Sequence, residues 1–314
     1  MASYVVRRVA QALVVLLGVS VVVFALVHLV PGDPIRVSMG TRFNPDAYEA
    51  LRARAGFDLP LPVQYGRYLA NAAAGDLGVS FRSGDPVTTT LLGRLPATLS
   101  LAGSALLVAL LIAVPLGIFS AIRSGSKLDY VATVFSQAGI SLPDFWMAIL
   151  LILLFSGVLG WLPPSGYVSP LADPIGWLSH LVLPAITVGV VSGSILTRFV
   201  RSSVLESLGE DYTRTARSKG LHERTVVTRH VLRNALVPII TVTGLQLAYL
   251  LGGVIIVEVI FAWPGLGQLA LLAVQSRDYP VLQGTVLLVA VVFLLINLIV
   301  DLLYAAADPR IRYK

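Results

Sequence analysis

At 314 residues, 56% hydrophobic and 13% charged, with a mean hydropathy of +0.83, the chain is far poorer in charge than soluble domains, which carry about 25%. It holds no cysteine, which excludes a disulfide framework, a thiolate metal site and a cysteine nucleophile. A net charge of +6 would suggest nucleic acid in a soluble protein. Here it is read through where Lys and Arg fall relative to a membrane, and no nucleic-acid partner is expected.

A membrane span needs about 20 mostly apolar residues, because about 30 Å of hydrocarbon is crossed at 1.5 Å per helical residue. Six stretches qualify, near 9–30, 95–122, 130–159, 177–204, 235–259 and 281–304, and they predict an all-α integral membrane protein with six transmembrane helices. Arg7 and Arg8 precede the first stretch as in a signal peptide, but it is too long for one and no A-x-A site follows, so it is expected to stay as an anchor. Pro143 and Pro184 interrupt the third and fourth stretches and are expected to kink them. The chain then divides into residues 1–30, the N-terminal tail and first helix; residues 31–94, an extracytoplasmic loop region; and residues 95–314, a five-helix core with a cytoplasmic loop at 205–234.

The loop region opens with "PGDP", which ends the first helix, and its seven Arg nearly cancel its six Asp and Glu. A short helix is expected at 63–74. With both termini cytoplasmic, 15 of the 23 Lys and Arg fall inside and 8 outside, 7 of the 8 in that one long loop, whose translocation is largely indifferent to charge.

No chemistry-bearing pattern stands out. There is no G-x-x-x-x-G-K-[ST], no H-E-x-x-H and no G-x-S-x-G, so neither ATP hydrolysis nor a catalytic residue is expected within this chain. His28, His180, His222 and His230 are scattered and suggest no metal site. A channel or secondary transporter would carry ionisable groups at mid-membrane, whereas Asp301 and Glu258 lie near span ends. A self-contained transporter would also show matching broken repeats, and the sequences around Pro143 and Pro184 do not match.

The segment 210–238, "EDYTRTARSKGLHERTVVTRHVLRNALVP", is basic and falls on the cytoplasmic side. Glu210 and Asp211 suit a helix N-terminus, Lys219 the C-terminus and Gly220 a C-cap, so about ten residues should form a helix of about 15 Å. Arg214, Arg217, Ser218 and Leu221 share one face; Tyr212, Thr215, Ala216 and Lys219 share another. Both faces lack bulky apolar groups. Small Ala216 and Gly220 would allow close approach of another protein, and a basic loop held to anionic lipid fits the same residues.

"RTARSKG" (214–220) followed by "LHERTVVTRHVLRNALVPII" resembles the EAA loop of ABC importer permeases of the oligopeptide/dipeptide/nickel family. In the pattern E-A-A-x-x-x-G-x9-I-x-L-P, Arg214, Thr215 and Ala216 take the E-A-A places and Gly220 the glycine. His230 and Leu232 stand for Ile and Leu, and Arg233 replaces the proline, as is usual in the peptide-type subfamily. "HLVPGDP", "GDLGVSF", "SLPDFW", "LGWLPPSGY", "HLVLPAITVG", "VEVIFAWPGLGQLALLAVQSRDYP" and "DPRIRYK" are similar to family blocks in family order, so the resemblance covers nearly the whole chain. It implies a type I ABC importer permease fold and a non-catalytic B-type subunit in a bacterial or archaeal plasma (inner) membrane. The implied partners are a homologous C-type permease, two ATPase subunits or a fused pair that bind the ATP and Mg, an extracytoplasmic substrate-binding protein, and lipid. Di- or oligopeptides are the expected cargo, with nickel chelate, glutathione or haem-like cargo as alternatives and a secondary transporter as a remote one. Arg214, Thr215, Ala216, Arg217, Gly220 and Leu221 are the implied contact with an ATPase subunit.

In the fifth span, Gln246 and Tyr249 are expected to face the translocation path, although packing through Gly244, Gly252 and Gly253 explains part of the same pattern. The external segment 261–280 is too punctuated to span and too apolar to be a free loop. It is expected to dip towards the path and meet the binding protein; Leu266 opens its apolar run, and the resemblance makes Arg277 and Asp278 of "RDYP" the anchors.

Overall fold

The computed structural model describes residues 2–29, 33–39 and 44–307; Arg42, the first two residues of "PGDP" and the "DPRIRYK" tail lie outside them. The described residues are helical apart from turns and one isolated bridge between Val79 and Pro86. In chain order the helices are α1 (Ala2–Leu29), α2 (Pro34–Met39), α3 (Pro45–Ala55), α4 (Leu61–Ala73), α5 (Val87–Ile122), α6 (Lys127–Ser141), α7 (Asp144–Leu151), α8 (Pro174–Gly209), α9 (Asp211–Ser218), α10 (Glu223–Thr225), α11 (Leu232–Gly253), α12 (Ile255–Ile260), α13 (Leu266–Ser276) and α14 (Tyr279–Ala307). Wide π-helical turns follow α7 at Ile152–Val158 and α10 at Val226–Val231.

Among the described residues five helical stretches are long and apolar enough to cross a membrane: Val5–Leu29, Val87–Ile122, Pro174–Gly209, Glu223–Gly252 and Tyr279–Leu302. The third expected span is a broken pair, α6 followed by Asp144–Val158, bent by 104°. Pro143 therefore breaks its span instead of kinking it. A residue before proline is pushed out of the helical region, and Leu142 and Pro143 are both extended, with ψ of 124° and 139°. Pro184, by contrast, is carried inside α8 without a break.

The chain falls into two compact units, Met1–Thr98 with Pro264–Leu295, and Leu99–Trp263 with Ile296–Lys314. In the first, α4 packs on α1 through Ser20 Oγ and Tyr65 Oη at 2.9 Å, His28 Nε2 and Gln64 Oε1 at 2.9 Å, and the edge of Tyr65 on Phe24. Val87 and Leu91 of α5, Leu266 and Ala273 of α13 and Val281 of α14 make its apolar core.

In the second unit, α8 is the central helix and its contacts depend on small residues. A Cβ at Gly189 would stand 2.9 Å from the Ala105 carbonyl oxygen, and one at Gly193 would stand 3.2 Å from the Ala109 backbone. Gly139 of α6 meets Ser194 as closely. Such spacing is how helices pack without an aqueous hydrophobic drive. An ion pair completes the joint. Asp129 of α6 accepts from Arg201 of α8 (Nε to Oδ1 2.6 Å, Nη2 to Oδ2 3.0 Å), from Ser120 Oγ of α5 at 2.6 Å and from the Gly125 N–H at 2.9 Å.

Removing one partner of a buried pair strands the other charge at a cost of about 3–5 kcal/mol, and Asp129 keeps only 10% of its side chain exposed. Arg201→Ala is expected to lower stability by about 3 kcal/mol, read as a fall in the thermal midpoint of the solubilised protein. Removing Asp129 as well, in the Asp129→Ala, Arg201→Ala double variant, should recover most of the loss.

Candidate functional site

α9 forms where the acidic start and the basic end of an eight-residue stretch complement the helix dipole, with Asp211 in the first turn and Arg217 in the last. Gly220 follows with φ of +76°, the left-handed conformation that glycine enters without a steric cost. A Cβ placed there meets nothing within 4 Å, so within this chain the requirement for glycine is one of backbone conformation.

One face of α9 is fixed to the second unit. Thr213 is fully buried and its Oγ1 donates to the Ser207 carbonyl at 2.8 Å. Ala216, expected on an outer surface, is 5% exposed and packs among Ala121 of α5, Val200 and Val204 of α8, and Ala235 and Ile239 of α11. Its side chain therefore offers no surface to another protein; the small residue lets α9 sit down on its own chain. Arg214, Thr215, Arg217, Gly220 and Leu221 are exposed. Arg217 reaches across the turn to Glu223 with Nη2 to Oε1 of 2.6 Å and Nε to Oε2 of 3.1 Å. With 43% and 53% of the two side chains exposed, the pair adds at most about 1 kcal/mol, and it braces the loop between α9 and α10.

Gln246 and Tyr249 of α11 come together at a cavity of about 120 Å³ that Asp144, Val188, Ser192 and Ile195 also line. Gln246 is 8% exposed and its Nε2 donates to Ser192 Oγ at 2.9 Å, while Tyr249 is 65% exposed. A larger cavity of about 440 Å³ lies in the first unit, lined by Phe24, Phe57, Arg67, Tyr68 and Phe81 among others. There the Tyr68 hydroxyl is buried without a partner, and burial pushes the phenol up to about 12. The larger cavity holds none of the residues expected to face the path.

The three residues expected to meet a partner from segment 261–280 separate by role. Leu266 is 2% exposed, its N–H donating to Thr98 Oγ1 at 2.7 Å. Asp278 is 5% exposed and accepts from the Ser80 hydroxyl and, at 3.1 Å, from the Phe81 N–H. Both are committed inside the first unit. Arg277 is exposed and holds φ of +55° as the left-handed cap of α13.

Two family models match this chain: the binding-protein-dependent transport system inner membrane component over residues 113–313, and the N-terminal model for a membrane component of the same systems over residues 1–102. The chain belongs to the family of binding-protein-dependent transport system inner membrane components. A Brucella abortus (strain 2308) relative, provisionally named a peptide transport system permease protein, is 43% identical over 313 residues and covers all of both chains. The dipeptide transport system permease protein DppB of Escherichia coli (strain K12) is 40% identical over 338 residues, again covering all of both. In the solved structure of the MetNI methionine ABC transporter in inward-facing conformations, one chain matches with a TM-score of 0.57 at 19% identity, over 69% of this chain and 96% of that one, which establishes a shared fold.

This inner membrane component is multi-pass, and its described ionisable groups are not confined to span ends. Asp144 stands at the first residue of α7 on the break of the broken pair, and one of its carboxylate oxygens, Oδ1, is buried without a hydrogen-bond partner. Hydropathy passes over it, because it is counted within the apolar stretch 130–159; the signal that marks it is an acid directly after the proline that ends a helix. Ser192 is equally invisible to hydropathy, and so is the pairing of Asp129 with Arg201, whose partners stand 72 residues apart in sequence.

Asp278→Ala would leave the Ser80 hydroxyl and the Phe81 N–H buried without an acceptor, at about 1–3 kcal/mol. A lower thermal midpoint and faster proteolysis of the first unit are expected, whereas Arg277→Ala should stay within about 0.5 kcal/mol of the parent.

Proposed function

We propose that this chain is a non-catalytic permease subunit of an ATP-driven, binding-protein-dependent importer of di- and oligopeptides. It would pair with a homologous permease, stand on two ATPase subunits that hold the ATP and Mg, and receive cargo from an extracytoplasmic binding protein. The peptide cargo rests on full-length relatives named for dipeptide transport. Cytoplasmic termini rest on the bias of Lys and Arg.

The observation that carries the mechanism is α9. Its buried face is continuous with the core formed by α5, α8 and α11, while its other face presents Arg214, Thr215 and Arg217, with Leu221 exposed just beyond the Gly220 turn. A force on the exposed face is therefore delivered to the membrane helices through close packing and not through a slack loop. ATP-driven closure of the ATPase pair changes the free energy of contact with α9, and such a difference between two states is what coupling requires. The permease does no covalent chemistry on its cargo: it binds, releases and switches access.

Gly220→Val forces a β-branched residue to φ of +76°, which costs about 1–2 kcal/mol and shifts the turn beside Arg217. Reconstituted in proteoliposomes with its partners, the variant complex should assemble and hydrolyse ATP yet take up little dipeptide; undiminished uptake would refute the role assigned to the turn. For the outer side, cysteines introduced at Leu272, Val274 and Arg277, all exposed on or beside α13, should crosslink to the binding protein in the ATP-bound state. Crosslinks to the partner permease alone, in every state, would assign α13 a structural role.

A further inference from the structure

The cavity beside α7, α8 and α11 contains a carboxylate that the fold does not use. Asp144 is the acidic residue of the first turn of α7, behind a proline N-cap, and its Oδ1 is buried with no hydrogen-bond partner. Among the described residues no Lys, Arg or His lines the cavity. An ionisable side chain within a spanning segment is costly and is retained where it meets a substrate or an ion, and broken helices are where transporters place such contacts.

Depth and size narrow the ligand. Ser192 is the 19th of the 36 residues of α8, Pro174–Gly209, so the cavity it lines sits about 27 Å along a helix of about 54 Å, near the middle of that spanning helix. A cavity of about 120 Å³ has the room of about four water molecules. It admits an ammonium and the carbon that bears it, and leaves the remainder of a peptide outside. Tyr249, largely exposed at the same cavity, and the Gln246 amide, held by its bond to Ser192 Oγ, supply neutral polar groups beside the acid. Among the described lining residues Asp144 carries the one charge, and it is negative.

We propose that Asp144 is the anionic subsite of the translocation path and takes the α-ammonium of the peptide, the one cation that every unblocked peptide carries whatever its side chains. This rests on the peptide reading above and adds to it the group that the permease itself recognises. A site of this size reads the terminus and ignores the sequence, as a carrier of many peptides requires.

The test uses the complete complex. In nanodiscs without the binding protein, saturation-transfer NMR should detect Ala-Ala on the parent complex and not N-acetyl-Ala-Ala. Asp144→Asn should abolish the Ala-Ala signal and lower Ala-Ala uptake in proteoliposomes about tenfold, the loss of about 1.4 kcal/mol of binding. Asp144→Glu, which keeps the charge, should restore part of both. Parent complex that takes up no Ala-Ala overturns the peptide reading and this inference together. Parent uptake with undiminished uptake and binding in Asp144→Asn overturns this inference alone. So does loss of the partner permease from purified Asp144→Asn complex, which would assign the carboxylate to a cation of that subunit.

Discussion

The contact between Gly189 of α8 and the Ala105 carbonyl of α5 is a backbone approach that a missing side chain makes possible: a Cβ at Gly189 would stand 2.9 Å from that oxygen. Within a bilayer lipid competes equally for apolar surface, so helices hold together through close packing and a few polar bonds. α8 supplies both. Gly189, Gly193 and Ser194 admit its neighbours along the middle, and Arg201 secures Asp129 further along. The share of its most apolar window that is buried is 67%, against 33% or less for each of the other four spanning helices. The cavity bearing Ser192 and the seat of α9 on Val200 and Val204 both take their positions from this helix.

The opposition of faces on α9 explains how a segment so polar stays ordered. Eight residues are too few to hold a helix in water on propensity alone. Thr213 and Ala216 bury themselves at a spacing of three, the first through a hydroxyl bonded to Ser207, and the charged residues are left outward. A larger residue at position 216 would lift the helix from its seat before it changed anything on the exposed face.

Much of the architecture was legible because hydropathy and turn chemistry are local signals. The long helices, the short helix after Pro60, and the helix ending at the Gly220 turn follow from apolar runs, a first-turn proline and a left-handed glycine. What escaped was decided at a distance. Whether Pro143 kinks or breaks a helix depends on what receives the second half, and Pro184, the same residue type, sits in an unbroken helix. The inward turn of Asp278 depends on Ser80, 198 residues away in sequence. The burial of Ala216 could have been suspected, since Thr213 and Ala216 make an uncharged stripe among charges, yet nothing local says what lies beneath it. At the path, Gln246 and Tyr249 were accessible to a reading of polar groups in an apolar helix, whereas Asp144 was hidden by being counted within a run.

The wide turn at Val226–Val231 has a consequence for how such chains change length over evolution. A π turn closes its hydrogen bond one residue later than an α turn, and here the Leu232 N–H bonds the Val227 carbonyl. It thus stores one residue of slack in the connection between α10 and α11. A one-residue deletion inside it can be absorbed by reverting to α geometry, leaving Gln246 on its original face. The same deletion within α11 would rotate everything beyond it by about 100° and swing Gln246 away from Ser192. The turn at Val226–Val231 can therefore give up one residue while the register of α11 stays fixed.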